Sequence, residues 1–322
     1  MTEPLRWGLI GTGAIAETFA ADLTLTDSGR VVAVGSRQRN SADRFADRLG
    51  IANRHASYEA LVADPEVEVV YVATPHPVHH AAALLALRAG KPVLVEKPFT
   101  MNATEAADLV ATARSESVFL MEAMWTRFLP HVVEIRRLLG DGSLGDIVTV
   151  SADHGQWFPQ DRGSRMFAPQ LGGGALLDLG IYPVSFASMV LGTPERIVTM
   201  VDPAFTGVDA QSSMVLGYAG GAQAILTCTL RADSPTRAAI VGTRARIEID
   251  GDFYAPTSLR LVPRTGEPTC FSASTPGRGL WRQADEVARC LRDGLLESPG
   301  MPLDESVAIM RTMDAIRAQP VR

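Results

Sequence analysis

A glycine turn near the start of the chain has the residue types and spacing needed to bind a phosphate group. Gly11-Thr12-Gly13-Ala14-Ile15-Ala16 follows an apolar run and opens a helical pattern. In this G-x-G-x-x-A form the first glycine permits a tight turn, and the second lets the backbone approach a pyrophosphate at the helix N-terminus. Because the turn lies between a predicted strand and a predicted helix, it favours a dinucleotide site over a purely structural turn.

The end of the second predicted strand indicates which dinucleotide fits. An NAD site of this type carries Asp or Glu about 20 residues after the glycine turn, where it bonds the ribose 2′-hydroxyl. Here the segment reads Gly35-Ser36-Arg37-Gln38-Arg39 and contains no acid. Ser36 can donate a hydrogen bond to a 2′-phosphate, and Arg37 can supply charge and stack on adenine. The segment therefore favours NADP, with a solvated arginine pair at a helix start as the alternative.

Two further polar segments follow neighbouring predicted strands, namely Thr74-Pro75-His76 and Glu96-Lys97-Pro98. Ligands of open α/β sheets bind beyond the carboxyl ends of the strands. We therefore expect Glu96 and Lys97 to contact the cofactor, with Lys97 also placed for chemistry. Thr74, Pro75 and His76 are candidates for cofactor contact at the same edge, and an ordinary loop turn is the alternative.

A glycine-rich segment in the second half of the chain opens an apolar helical pattern over Ala175–Leu191. Asp178 and Tyr182 are four residues apart, so on an α-helix they share one face. Polar groups on so apolar a helix require partners. The pair is a candidate catalytic set, and a capping Asp with a core Tyr is the alternative.

The elements that must position these residues form two patterns. From Leu5 to about Met121, short apolar runs such as Val67–Ala73 alternate with helical stretches, which predicts a doubly wound parallel sheet. After about Met124, strand-like runs follow one another with few helices, which predicts an α+β domain with an open, mainly antiparallel sheet. We expect an NAD(P)-binding Rossmann domain at 1–122 and a substrate-binding and oligomerisation domain at 123–322.

Composition excludes several classes of protein. The 322 residues are 46% hydrophobic, which is typical of a folded protein. They carry 30 basic and 36 acidic side chains and no basic run, so the charge gives no reason to expect binding to nucleic acid or to an anionic membrane. The three cysteines show no CxxC spacing, which argues against a disulfide framework or a zinc site and favours the cytoplasm. We expect no run to reach the roughly 20 apolar residues of a membrane helix.

Taken together and in order, these motifs resemble the glucose–fructose oxidoreductase, inositol dehydrogenase and rhizopine catabolism (Gfo/Idh/MocA) family of NAD(P)-dependent oxidoreductases. The resemblance covers essentially the whole chain and rests on the glycine turn, on Ala73–His76, on Ala89–Pro98 and on Gly172–Tyr182. The segment Met121–Pro130 and the pairing of acid and tyrosine resemble the branch that contains dimeric trans-dihydrodiol dehydrogenase and NADP-dependent D-xylose 1-dehydrogenase.

This resemblance implies hydride transfer between a nicotinamide and a hydroxyl-bearing carbon of a sugar or cyclic trans-diol, with no metal. It implies that Lys97 is the essential lysine, that Tyr182 is the general acid/base where many relatives have His, and that Asp178 lies near the reacting hydroxyl. It also implies a homodimer or homotetramer formed through the C-terminal sheet. The alternatives are an NADPH-dependent ketosugar or carbonyl reductase and a catalytically silent dinucleotide sensor.

The sequence provides fewer signals for the residues that contact the substrate. Trp125 and Phe158 are candidates for the walls of a pocket, although aromatic side chains also fill cores. Arg165, shortly before the glycine-rich segment, is a candidate contact for a substrate hydroxyl or phosphate.

Overall fold

The computed structural model describes residues 3–319, and its first sheet has six strands in the order β3-β2-β1-β4-β5-β6. All five strand pairings in this sheet are parallel. Its strands are β1 (Leu5–Ile10), β2 (Gly29–Gly35), β3 (Asn53–His55), β4 (Val69–Val72), β5 (Val93–Glu96) and β6 (Leu120–Ala123). The strand order reverses between β1 and β4, where an open α/β sheet offers its ligand crevice. The predicted Rossmann-type fold is confirmed.

The helices alternate with the strands in the first part of the chain and become sparse afterwards. In chain order they are α1 (Ala14–Leu23), α2 (Arg39–Leu49), α3 (Tyr58–Val62), α4 (His79–Arg88), α5 (Ala103–Glu116), α6 (Pro130–Gly140), α7 (Ile181–Leu191), α8 (Trp281–Arg292) and α9 (Leu303–Arg317). The alternation through α5 connects each strand to a parallel neighbour, except between β3 and β4, where the chain returns across the sheet to lie beside β1.

The second sheet has eight strands in the order β14-β13-β12-β11-β7-β10-β9-β8. They are β7 (Ile147–Gly155), β8 (Arg196–Pro203), β9 (Asp209–Gly217), β10 (Gln223–Thr229), β11 (Ala238–Gly242), β12 (Ala245–Ile249), β13 (Leu259–Pro263) and β14 (Thr269–Phe271). Only β7 and β10 pair in parallel, so the prediction of an open and mainly antiparallel sheet is confirmed. Helix α7 lies against β7 and β10.

The described chain divides into two compact units. The first runs up to Phe128 and includes Pro276–Val307, and the second comprises Leu129–Thr275 with the chain from Ala308 onward. The segment that begins at Pro276 is attached to α1, because the carboxylate of Asp22 accepts the backbone N–H groups of Arg278 at 3.1 Å and Leu280 at 2.7 Å. No pattern in the sequence indicated this attachment.

One apolar segment of the second unit corrects a sequence-based expectation. Pro169–Leu191 is long and apolar enough to cross a membrane by length and composition, with a mean hydropathy of 1.5. However, 78% of its most apolar 18-residue window is buried inside the protein. Its apolar side chains therefore fill the interior of the second unit, where α7 packs on the second sheet.

Candidate functional site

The glycine turn after β1 has the geometry of an anion-binding helix start. Gly11 has φ +115°, and a Cβ there would lie 2.4 Å from the carbonyl oxygen of Ala73, so only glycine fits. At Gly13 no described atom beyond the adjoining residues lies within 4 Å of a Cβ position, and no described side chain caps α1. Thr12 completes the turn, and Ala14 and Ile15 begin α1. Helix α1 therefore begins with backbone N–H groups that no described side chain caps, as an anion site requires.

The carboxyl end of β2 presents the two arginines differently. Arg39 forms an ion pair with Asp43 at 3.0 Å. Arg37 is exposed and donates a hydrogen bond to the hydroxyl of Tyr58, whose pKa is raised because the ring is half-buried. The hydroxyl of Ser36 accepts the backbone N–H of Gln38 at 3.3 Å. The carboxyl end of β2 therefore presents a cationic group and a hydroxyl close together along the chain.

The loop after β4 contains a buried polar atom that fits a ligand. The Oγ1 atom of Thr74 has no hydrogen-bond partner within residues 3–319, although buried hydroxyls are normally paired. Pro75 leads into a 3-10 turn that His76 begins, and His76 is itself buried. The position of Thr74 beside Gly11 makes its hydroxyl a candidate for contact with a dinucleotide.

A histidine that the sequence analysis did not single out joins two loops of this edge. The two ring nitrogens of His79 lie 2.9 Å from the carbonyl oxygens of Thr74 and Pro98. His79 is fully buried, and burial lowers its pKa. It thereby fixes the loop after β4 against the loop after β5.

The Glu96-Lys97 segment is anchored from inside the sheet. The hydroxyl of Tyr71, a fully buried residue of β4, donates to the carboxylate of Glu96. The other oxygen of Glu96 accepts the backbone N–H of Lys97 at 3.2 Å. Phe19 stacks on Tyr71 with ring centroids 4.1 Å apart, so the anchor itself is held by packing. The half-buried Lys97 therefore starts from a fixed backbone position.

A cluster of mostly buried polar and charged side chains lies at the end of β6, and no local pattern in the sequence indicates it. The Oε2 atom of Glu122 accepts the hydroxyl of Ser306 at 2.7 Å, and burial raises the pKa of Glu122 to about 7. Arg127, which is 3% exposed, forms an ion pair with Glu305 at 2.7 Å. These four residues join the turn after β6 to the start of α9.

In the second unit, Asp178 lies in a π-helical turn, Leu176–Gly180, that runs directly into α7. The guanidinium of Arg165 donates to both carboxylate oxygens of Asp178, at 3.0 Å and 3.2 Å. The Asp178 side chain is 9% exposed and that of Arg165 is 57% exposed. Wider turns of this kind occur frequently at functional sites. The regular α-helix predicted over this stretch is corrected to a π turn followed by α7.

Tyr182 lies in an aromatic cluster with His154 and Tyr254. Its ring centroid is 5.3 Å from that of His154 and 4.8 Å from that of Tyr254. His154 and Tyr254 stack on each other with centroids 4.4 Å apart. The cluster places an ionisable ring beside a buried imidazole on the face of the second sheet that α7 covers.

The candidate substrate residues fall in both units. Trp125 is buried in the 3-10 turn Trp125–Phe128 of the first unit. Phe158 is half-buried just after β7, and its backbone N–H donates to Leu230 at 3.0 Å. Arg165 is engaged by Asp178, so its guanidinium is already oriented by a carboxylate. Within residues 3–319 no group of three or more His, Cys, Asp or Glu is arranged to hold a metal ion.

Comparison with known proteins extends these observations over the whole chain. The model of an oxidoreductase family with an NAD-binding Rossmann fold matches residues 5–124, and that of the GFO/IDH/MocA C-terminal domain matches residues 132–248. Trans-1,2-dihydrobenzene-1,2-diol dehydrogenase of Xenopus tropicalis is 39% identical over 321 residues, covering 96% of each chain.

Two solved structures are similar throughout. Aldose-aldose oxidoreductase from Caulobacter crescentus, complexed with glycerol, has a TM-score of 0.89 at 26% identity and covers 98% of this chain and 96% of its own. A 3-ketoreductase from Actinomadura kijaniata with NADP and TDP-benzene has a TM-score of 0.84 at 27% identity, with 98% and 97% covered. The chain therefore belongs to the Gfo/Idh/MocA family and is an NAD(P)-dependent oxidoreductase acting on CH–OH groups.

Proposed function

We propose that this protein transfers hydride between NADP and a hydroxyl-bearing carbon of a sugar or a cyclic trans-diol. The observation that carries the proposal is the 39% identity with a trans-dihydrodiol dehydrogenase over nearly all of both chains. In this proposal residues 1–122 bind the dinucleotide through the residues of the glycine turn, Ser36, Arg37, Thr74, Pro75, His76, Glu96 and Lys97. Residues 123–322 supply the substrate-binding and oligomerisation surfaces, and Trp125, Phe158 and Arg165 contact the substrate.

In the proposed mechanism Tyr182 takes the hydroxyl proton in the oxidation direction and returns it in reduction. Bound NADP would supply the hydride acceptor, or its reduced form the donor. A free tyrosine has a pKa of about 10 and is a poor base at neutral pH. An ammonium about 4 Å away, at an effective dielectric of 20, favours tyrosinate by roughly 4 kcal/mol, or about 3 pKa units at the upper end. We assign this role to Lys97.

Asp178 has a separate part in the proposal. Its carboxylate is held in a two-point contact by Arg165, so its oxygens have fixed directions. A fixed carboxylate can accept a hydrogen bond from a substrate hydroxyl and orient it toward Tyr182. We therefore treat Asp178 as an orienting group and Tyr182 as the proton-transfer group.

The test is the appearance of nicotinamide absorbance when the purified protein is incubated with a dinucleotide and a panel of aldoses and cyclic trans-diols. We expect reduced dinucleotide to form with one of the two substrate classes, and faster with NADP⁺ than with NAD⁺. Turnover only with NAD⁺ would contradict the cofactor assignment. Absence of turnover with both classes would contradict the substrate assignment.

The preference for NADP gives a sharper prediction. Arg37→Ala is expected to raise the Kd for NADP⁺ about 10- to 100-fold, because a charge-assisted contact with a 2′-phosphate contributes roughly 1.5–3 kcal/mol. The Kd for NAD⁺ should stay within about twofold, since NAD⁺ has no 2′-phosphate. Isothermal titration with each dinucleotide measures both constants. Arg39→Ala is the control, because Arg39 is engaged by Asp43, and it should change neither constant by more than a few-fold.

A second candidate function is the reduction of a ketosugar or other carbonyl with NADPH. The similarity to a 3-ketoreductase crystallised with NADP favours it. The same residues would act in reverse, with Tyr182 donating the proton. Oxidation of NADPH by ketosugars, with no reduction of NADP⁺ by aldoses or diols, would favour this candidate. Stoichiometric dinucleotide binding without turnover in either direction would instead favour a sensor.

We also propose that the protein is a cytoplasmic homo-oligomer that associates through the outer face of the second sheet. Exposed apolar side chains occupy the three adjacent strands β8, β9 and β10 there, where Val198, Val215 and Ile225 are direct neighbours. Val198 is 66% exposed and Met200 is 73% exposed. Contiguous apolar surface of this kind marks an interface.

Sedimentation analysis tests this surface. We expect a dimer or tetramer at micromolar concentration, and we expect Val215→Lys to yield a monomer, because a charge at the centre of the face would be buried unpaired. Arg264→Ala, in the turn after β13 on the same sheet, is the control and should leave the mass unchanged. A monomeric wild-type protein would contradict the proposal.

A further inference from the structure

The start of the π-helical turn is held by a carboxylate from the neighbouring strand β9. The Oδ2 atom of Asp209 accepts the backbone N–H of Leu176 at 2.6 Å and the hydroxyl of Ser212 at 3.2 Å. Leu176 is the first residue of the turn that carries Asp178. The first N–H groups of a helix have no partner within the helix, so this contact fixes one of them.

A glycine at position 174 leaves space for the carboxylate of Asp209 beside the start of the turn. Gly174 has φ +119°, and a Cβ at this position would lie 2.2 Å from the Oδ1 atom of Asp209. Any side chain there would displace the carboxylate and would also strain the backbone. The position of the Asp209 carboxylate therefore requires glycine at position 174.

The far end of the same turn is fixed by a second close approach. A Cβ at Gly180 would lie 2.9 Å from the sulfur of Cys228, which is buried on β10. The turn is therefore seated on β9 at its first residue and on β10 at its last. Asp178 lies between these two points, and Tyr182 follows two residues after the second.

We propose that Asp209 is a positioning residue for catalysis, which sets the placement of Asp178 and Tyr182 through its bond to the Leu176 N–H. The proposal rests on the function proposed above. A misplacement of about 1 Å far from the reacting atoms can reduce a rate about 100-fold, because proton transfer requires hydrogen-bond distance. Asp209 makes this contact within the second unit, so its loss should affect turnover rather than dinucleotide affinity.

The test compares three substitutions at one position. Asp209→Ala removes the acceptor, Asp209→Glu moves the carboxylate outward by one methylene, and Asp209→Asn keeps the shape and an acceptor oxygen. We expect the Ala and Glu variants to lose at least tenfold in kcat, and the Asn variant to stay within about threefold of wild type. The Kd for NADP⁺ should remain within twofold in all three. The control is Asp202→Ala on β8, an exposed aspartate paired with Arg231, which should retain wild-type kcat.

Several outcomes would overturn the proposal. One is an Ala or Glu variant with wild-type kcat, and another is an Asn variant as impaired as the Glu variant. If the Ala variant does not fold, the comparison of Asn with Glu decides the question. A loss confined to KM, or one in which NADP⁺ affinity falls equally, would indicate general damage and would also overturn the proposal.

A second readout does not depend on turnover. Hydrogen exchange of the amides at 176–182 should be at least tenfold faster in the Glu variant than in wild type and near wild type in the Asn variant, because the helix start loses its partner. Unchanged exchange in the Glu variant would overturn the positioning role even if no substrate is found. An inactive wild-type protein with the expected exchange pattern would contradict only the proposed function.

Discussion

Replacing Lys97 by Met or Tyr182 by Phe is expected to lower kcat at least a hundredfold, while the Kd for NADP⁺ stays within a few-fold. Tyr182→Phe removes the hydroxyl that exchanges the proton, and general acid–base catalysis typically contributes a factor of 100 to 10,000. Lys97→Met keeps the length of the side chain and removes its charge. The residual activity of Lys97→Met in the oxidation direction should rise with pH, because the tyrosine loses the ammonium that favours its ionised form.

Steady-state kinetics and dinucleotide titration of both variants measure this prediction. Lys91→Met is the matched control for the lysine, because the Lys91 ammonium donates to the backbone carbonyls of Asp64 and Val67. Tyr218→Phe is the control for the tyrosine, since burial raises the pKa of Tyr218 to about 12 and keeps it neutral. Both controls should retain kcat within about threefold. Full activity in Lys97→Met and Tyr182→Phe would remove both residues from the mechanism.

The parallel sheet could be predicted because its strands are apolar throughout and bounded by turns. The strand predicted over Val67–Ala73 corresponds to β4, which spans Val69–Val72, and all four of its residues are buried. By contrast, β3 consists of Asn53, Arg54 and His55, and a three-residue polar strand at a sheet edge carries no hydrophobic period. The π turn was missed for a related reason, since one widened turn hardly disturbs the spacing of apolar residues in a helix that is buried all round.

The candidate site was accessible from sequence only where its residues cluster in short motifs. The glycine turn, Glu96-Lys97 and the Asp178/Tyr182 pair could be singled out in this way, and their catalytic and binding roles stay predictions. The contact between Glu122 and Ser306 joins residues 184 positions apart, and no local pattern encodes it. The engagement of Asp178 by Arg165 and of Leu176 by Asp209 likewise depends on how strands and loops pack, which side-chain spacing does not specify.

The Glu122–Arg127 cluster of the first unit leads to the largest expected effect on stability. Arg127→Leu is expected to lower the free energy of unfolding by about 3 kcal/mol at pH 8, the lower end of the range for breaking a buried ion pair, because Arg127 is buried while Glu305 is only partly buried. Arg127 is 3% exposed, and it faces the carboxylate of Glu305 while also lowering the pKa of Glu122. Arg114→Leu is the control, since Arg114 pairs with Asp304 at the surface and should cost less than about 1 kcal/mol.

The loss of unfolding free energy caused by Arg127→Leu should depend on pH, in a direction set by the protonation of Glu122. Burial raises its pKa from 4.5 to about 7, so its favourable contribution is complete below about pH 4.5 and is lost as the pH rises through 7. Arg127 opposes that loss by attracting the ionised carboxylate, and the effect of Arg127→Leu should therefore be larger at pH 8 than at pH 5. Urea unfolding followed by tryptophan fluorescence suits this comparison, because Trp7, Trp125 and Trp281 all belong to the first unit. A loss no larger than that of Arg114→Leu, or one equal at the two pH values, would show that the carboxylates of Glu122 and Glu305 do not depend on this guanidinium.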